Sequence, residues 1–152
     1  MKEVTMRRHL IARALILREQ YEKSLVLLNE IPGVTRPFLP GGRVEIGESV
    51  VCALERELYE ELGLRCAIGP YLGAVEHQWP EDVPTDYEVN HVFRVTCPEL
   101  SWSVVAHEVD HRFFWCAVES LADAGLQPPV LPRLIAAYAA GSETPWWATT
   151  LP

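Results

Sequence analysis

Residues 42–64 read GRVEIGESVVCALERELYEELGL. The turn Pro40-Gly41-Gly42 enters this stretch and Gly63 closes it. Ser49 is suited to cap a helix, because its hydroxyl can accept from a free backbone N–H of the first turn. Val50, Leu54, Leu58 and Leu62 recur at four-residue spacing and so share one buried face. Gly63 tolerates the positive φ at which a helix stops. The stretch therefore predicts a glycine loop followed by a helix of about three to four turns over residues 49–62.

The acids of that helix are oddly placed. Glu57, Glu60 and Glu61 fall at i, i+3 and i+4, so their carboxylates leave one face close together. They lie in the C-terminal half, where the helix dipole disfavours negative charge. Each close pair costs about 1 kcal/mol in water and about 4 at a partly shielded site. Of the neighbouring side chains only Arg56 offsets them. A solvated helix face is one reading of such a run. The adjoining Gly41-Gly42 favours another, since a glycine turn lets backbone approach a phosphate beside the acids. A divalent cation would relieve the repulsion, and hard oxygen ligands suit Mg²⁺ or Mn²⁺. Phosphate, metal and carboxylates together describe metal-assisted attack on a phosphoanhydride.

The spacing Gly42, five residues, Glu48, seven residues, Arg56-Glu57-Leu58-x-Glu60-Glu61-x-Gly63-Leu64 resembles the Nudix box, with every defining position filled. Leu39-Pro40-Gly41-Gly42 is its usual lead-in. The resemblance implies an α/β fold, an α/β/α sandwich with a mixed β-sheet between helices. It implies a pyrophosphohydrolase that cleaves a nucleoside diphosphate linked to another moiety, of ADP-ribose or nucleotide-sugar type. The alternatives are a MutT-type (d)NTP pyrophosphohydrolase and a non-catalytic binding module. By the same resemblance the Gly41 carbonyl, Glu57, Glu60 and Glu61 hold Mg²⁺ or Mn²⁺. Glu57 is also a candidate base, Arg56 orients the carboxylates with Glu48 as partner, and Gly42 lies against the substrate.

The whole chain agrees with a small enzyme. At 152 residues it is long enough for one domain, 1–152, with a real core. Hydrophobic residues make up 49% and charged residues 22%, which is ordinary for a globular protein. A net charge of −8 argues against non-specific binding to a nucleic-acid polymer. An acidic protein with an anionic nucleotide substrate would itself need the metal as a bridge. Cys52, Cys66, Cys97 and Cys116 show no CxxC spacing and lie among apolar residues, so they read as buried, reduced thiols of a cytoplasmic protein. Arg13 interrupts the apolar run after Arg7-Arg8-His9, which argues against a signal peptide, and no run reaches membrane-spanning length. Monomer and homodimer are both compatible with these features.

Around the box, apolar patterning predicts strands at 9–17, 24–29, 65–75, 88–96 and 112–118, with 18–23 a hairpin turn. Residues 119–124 and 132–140 read as helices, the second with Pro132 at its start. Residues 76–87 read as a polar loop, and 98–106 are ambiguous. Strands around two or three helices give a sandwich with a mixed sheet between helical layers.

His107-Glu108-Val109-Asp110-His111 is literally HExxH. A zinc protease needs both histidines on one face of a helix. The flanks, Ser-Val-Val-Ala and Arg-Phe-Phe-Trp, favour strand instead. By the Nudix resemblance Glu108 matches a position that supplies a base or another metal ligand. Trp79 and Tyr87 could stack a nucleobase, or else cover the sheet edge. His77 and His91 read as packed or surface histidines. Trp146 and Trp147 read as hydrophobic closure of the C-terminus. Pro80, 16 residues after Leu64, resembles a feature of ADP-ribose-preferring members.

Overall fold

The computed structural model describes residues 7–31, 33–34, 36–79 and 86–152. The first apolar stretch forms two strands, β1 (Arg7–Leu15) and β2 (Leu17–Gln20). Then follow β3 (Lys23–Glu30), β4 (Gly41–Arg43), α1 (Val50–Leu62), β5 (Ala67–Gln78), β6 (Asp86–Thr96), β7 (Arg112–Ala117), α2 (Leu131–Ala139) and β8 (Trp146–Thr149). A mixed five-stranded sheet runs β4-β1-β6-β5-β8, and a three-stranded sheet runs β2-β3-β7. β1 and β6 are parallel, as are β5 and β8, and the other pairs are antiparallel.

Alternation along the central strands divides the core. Leu15, Val26 and Leu28 bury to one side with Leu131 and Ile135 of α2. Ala14, Ile16 and Leu27 bury to the other with Leu54, Leu58 and Leu62 of α1. The helices therefore cover opposite faces of a central layer of strands, the expected α/β/α arrangement. Strands buried on both faces read as continuous apolar runs, which is why residues 24–29 carry no polar alternation.

Three expectations differ in extent. Residues 18–23 are not all turn: β2 pairs with β3, and only Tyr21 and Glu22 turn, both at positive φ (50° and 61°). Residues 76–78 are not loop: they pair with 87–89 and extend β5 despite their polarity. Residues 119–124 form a short 3₁₀ turn, Val118–Ser120, followed by turns instead of a helix. Residues 98–106 form neither helix nor strand. The register of β5 on β6 is irregular between Ile68 and Gly73, around Gly69-Pro70. β8 was not expected. Trp146 and Ala148 face inward on it, while Trp147 is exposed. Cys52 is exposed and Cys66 only partly covered, so two of the four thiols are not core residues.

Candidate active site

The box helix forms as its sequence dictates. Ser49 Oγ accepts from Cys52 N at 3.1 Å, and Gly63, at φ 67°, donates its N–H to Tyr59 O. Burying Ala53, Leu54, Leu58 and Leu62 against β1 and β6 sets the rotation of α1. That rotation presses Glu57 and Glu61 onto Gly41 and Gly42, which form the start of strand β4 where the sequence reading expected a glycine loop, and leaves Glu60 at the rim. Glu61 is 2% exposed and accepts from Gly41 N at 3.2 Å. A Cβ on Gly42 would lie 2.4 Å from the Glu57 carboxyl carbon, so only glycine permits this approach. A Cβ on Gly41 would lie 2.0 Å from Ala12 O, and its φ of 135° also favours glycine.

Arg56 ties the stretch together. Its guanidinium meets Glu48 through two hydrogen bonds, Nη2 at 2.6 Å and Nε at 3.1 Å. Nη1 donates to Glu57 Oε1 at 2.9 Å and Nη2 to Arg43 O at 3.1 Å. Glu60 lies farther from Nη1, at 3.4 Å. The predicted Arg56–Glu48 partnership is thus present. Glu48 also accepts from Glu45 N, and its carboxyl is held below the usual range, first by Arg56.

Arg13 of β1 escaped the sequence reading as a site residue. Its signal was a charge inside an apolar strand. It is half-buried near the acids, donates to Leu39 O at 3.1 Å and to Asn90 Oδ1 at 3.4 Å, and lies over the Phe38 ring. Burial pushes its pKa down, while Glu88, Glu61 and Glu57 pull it back.

Glu108 reaches the cluster by a docked turn. His107 N donates to Glu61 O at 2.8 Å, and the His107 ring packs on Gly63. Residues 107–111 are not helical, and Asp110 has φ 68°. His107 faces Gly63 whereas His111 faces Glu108, so the helical two-histidine face of a zinc protease is not formed.

The carboxylates disturb one another. Burial, above all, pushes the Glu61 pKa up to about 8; Arg13 and the Gly41 N–H oppose this, and Glu57 and Glu108 add to it. Glu57 is raised by burial against the pull of Arg56, with Glu60 and Glu108 adding. Among the described residues the acids are not drawn into one ligand cage. Glu57 and Glu60 turn to Arg56, and Glu61 turns to Gly41 N. The donor set nonetheless fits a divalent ion: hard oxygens in mutual repulsion, one of them buried with a raised pKa.

Trp79 packs against Phe38 at 5.6 Å and edge-on to His77 at 4.5 Å. His77 is buried; its Nδ1 meets Thr150 Oγ1, and its Nε2 lacks a partner among the described residues. His91 meets Tyr71, and Tyr87 lies under Arg8, so neither joins the acids. Pro80 lies outside the described residues. On the other flank of α1 a cavity of about 490 Å³ is lined by Cys52, Glu55, Arg56, Tyr59, Arg65 and Cys66.

The sequence model of the NUDIX domain matches residues 7–137, which include the whole glycine loop and α1. The chain belongs to the NUDIX domain family. It is a Nudix hydrolase of the pyrophosphohydrolase type. It is 30% identical over 105 residues to the CTP pyrophosphohydrolase of Escherichia coli K12, covering 69% of this chain and 73% of that one. The solution structure of the E. coli ORF135 protein matches at TM-score 0.63 and 27% identity, over 91% of this chain and 96% of that one. A NUDIX hydrolase from Nitrosomonas europaea matches in fold at TM-score 0.67 and 24% identity, over 91% and 93%. Nudix hydrolases act on small nucleotides and generally use divalent metals. Among the described residues no helix of this one is long and apolar enough to cross a membrane.

Proposed function

We propose that this Nudix hydrolase cleaves a nucleoside diphosphate linked to a further group X. Water attacks phosphorus, and a nucleoside monophosphate and phosphoryl-X leave. The observation that carries the reading is Glu61, 2% exposed with a pKa raised to about 8, held against the glycine loop beside Glu57. Buried, mutually repelling carboxylates of this kind cluster at functional sites. X of the ADP-ribose or nucleotide-sugar type is the first reading. A nucleoside triphosphate, with phosphate as X, is the second, favoured by the likeness to a CTP pyrophosphohydrolase.

Glu57, Glu60, Glu61 and the Gly41 carbonyl would hold Mg²⁺ or Mn²⁺, which when bound supplies charge neutralisation at the phosphates and acidifies water. The chain's own groups do the positioning. Arg56 fixes Glu57 and Glu48 in one plane of hydrogen bonds, a bidentate geometry that lysine cannot reproduce. Gly42 lets the Glu57 carboxyl lie against the backbone, and Gly41 N holds the Glu61 carboxyl beside it. Glu108 takes the proton of the attacking water, with Glu57 the other candidate. Trp79, beside Phe38, offers an aromatic face to the base. The chain works as one domain, 1–152, in a reducing cytoplasm, in keeping with its free thiols.

The test is a panel of ADP-ribose, nucleotide sugars, dinucleoside polyphosphates and (d)NTPs including CTP, each with Mg²⁺. Glu60→Gln and Glu61→Gln serve as controls. Turnover of one class, lost by about 10²-fold or more in the controls, supports the reading and names X. A folded protein that turns over none of them refutes it.

A further inference from the structure

The turn 107–111 is held more tightly than a surface turn requires. His111 Nε2 lies 3.0 Å from Glu108 Oε2, and His111 Nδ1 lies 3.1 Å from Asn29 Nδ2. An amide nitrogen only donates, so Nδ1 accepts from Asn29. The ring proton of the neutral imidazole is then on Nε2 and is donated to Glu108. Asn29 itself cannot move. It is 2% exposed on β3, and its backbone exchanges two hydrogen bonds with Phe38, at 2.8 and 2.9 Å. Phe38 lies three residues before Gly41, so the anchor of this relay shares its frame with the glycine loop. Asn29 Oδ1 is buried without a partner among the described residues.

We propose that Asn29 and His111 form a positioning relay that holds Glu108 toward Glu57 and Glu61. His111 engages one carboxylate oxygen, Oε2, and leaves Oε1 to take a proton from water. His107 N, bound to Glu61 O, fixes the near end of the turn, and the left-handed Asp110 folds its far end back onto Asn29. The HExxH run therefore serves one carboxylate and no zinc. The proposal rests on Glu108 being the base of phosphoanhydride hydrolysis.

His111→Phe keeps a ring without the donor, and His111→Gln keeps a donor of similar reach without the ring. On the panel nucleotide turned over fastest, His111→Phe lowers kcat about 10- to 100-fold with KM within about twofold. His111→Gln recovers to within about fivefold of the parent. In a Glu108→Gln background, His111→Phe causes no further loss, because both changes remove one unit. Nitrogen-15 NMR of the histidine rings at pH 9, where imidazole is neutral, reads the relay without substrate. It shows His111 protonated on Nε2, and a mixture of tautomers in Asn29→Leu. Parental kcat in His111→Phe, additive losses in the double variant, or a proton on Nδ1 each overturn the relay. Parental kcat in Glu108→Gln with turnover lost in Glu60→Gln overturns the base assignment and the relay with it, and leaves the hydrolase reading standing. A wild-type protein that turns over nothing refutes the hydrolase reading, and the tautomer still decides whether the relay exists.

Discussion

Replacing Glu61 by glutamine should invert the usual result of removing a site acid: in the metal-free protein it should stabilise the fold at alkaline pH. The native protein keeps a proton on Glu61 up to about pH 8, whereas an unburied glutamate releases it near 4.5. Between those values the unfolded chain binds fewer protons than the native one, so stability falls as pH rises. Below about 4.5 the contribution is fully present; above about 8 it is lost. Each pH unit in that window is worth about 1.4 kcal/mol, so the loss approaches ~5 kcal/mol as a ceiling. Glutamine holds the neutral state of the acid and can still accept from Gly41 N. The assay is urea unfolding followed by tryptophan fluorescence, in chelator, from pH 5 to 9, on both proteins. The difference between them isolates Glu61 from the lowered pKa values of His77 and His91, which act on both alike. The two should lie close at pH 5 and diverge steadily to pH 8, the parent being the weaker. Mg²⁺ at a hundred times its dissociation constant should return about 2.7 kcal/mol to the parent and little to the variant. A difference that stays flat across this range, or that grows toward acid, refutes the reasoning.

Neighbouring glycines should separate fold from function. Gly42→Ala pushes only the flexible end of Glu57, so unfolding should shift little while kcat drops about 10-fold or more. Gly41→Ala drives a Cβ into the backbone of β1 at positive φ and should destabilise by about 2 kcal/mol or more, seen as a lower urea midpoint. Arg56→Lys leaves Glu48, Glu57 and Arg43 O competing for one ammonium, and kcat should fall about 10²-fold with the far-ultraviolet spectrum unchanged. Trp146→Ala empties a site between β5 and Tyr138 of α2 and should cost about 3–5 kcal/mol by urea unfolding.

What the sequence made legible was local. Ser49, the four-residue apolar spacing and Gly63 determine α1 without reference to the rest of the chain; its observed start differs from the reading by one residue and its end, Leu62, coincides with it. Strand existence was legible from apolar runs. Strand extent was not, because the pairing partner decides it. Glu76, His77 and Gln78 join β5 only because β6 supplies the backbone partners for that polar segment. β8 has four residues and pairs in parallel with a strand some seventy residues earlier, a contact no local pattern announces. Within the site, the box residues were legible because their spacing places them on one helix face. Arg13, Asn29 and His111 were not, since each comes from a different element and acquires its meaning only when sheet order sets it beside the acids.

The charges around α1 are the strongest support for the proposed cation. Glu48, Glu57, Glu60, Glu61 and Glu108 are five carboxylates, and among the described residues the guanidinium groups of Arg13 and Arg56 pair with or face them. Neither arginine is at liberty to do more. Arg13 is committed to Leu39 O and Asn90, and Arg56 to Glu48 and Arg43 O. Folding could have relieved the excess by exposing Glu61, yet the helix rotation demanded by Leu54, Leu58 and Leu62 keeps it 2% exposed. The apolar face thus enforces the polar one. Burial raises the Glu61 pKa, and repulsion from Glu57 and Glu108 raises it further, so the protein alone can satisfy the site only by holding a proton there. The proposed divalent ion would replace that proton and part of the missing charge together, so metal binding, proton release and stability should change as one quantity.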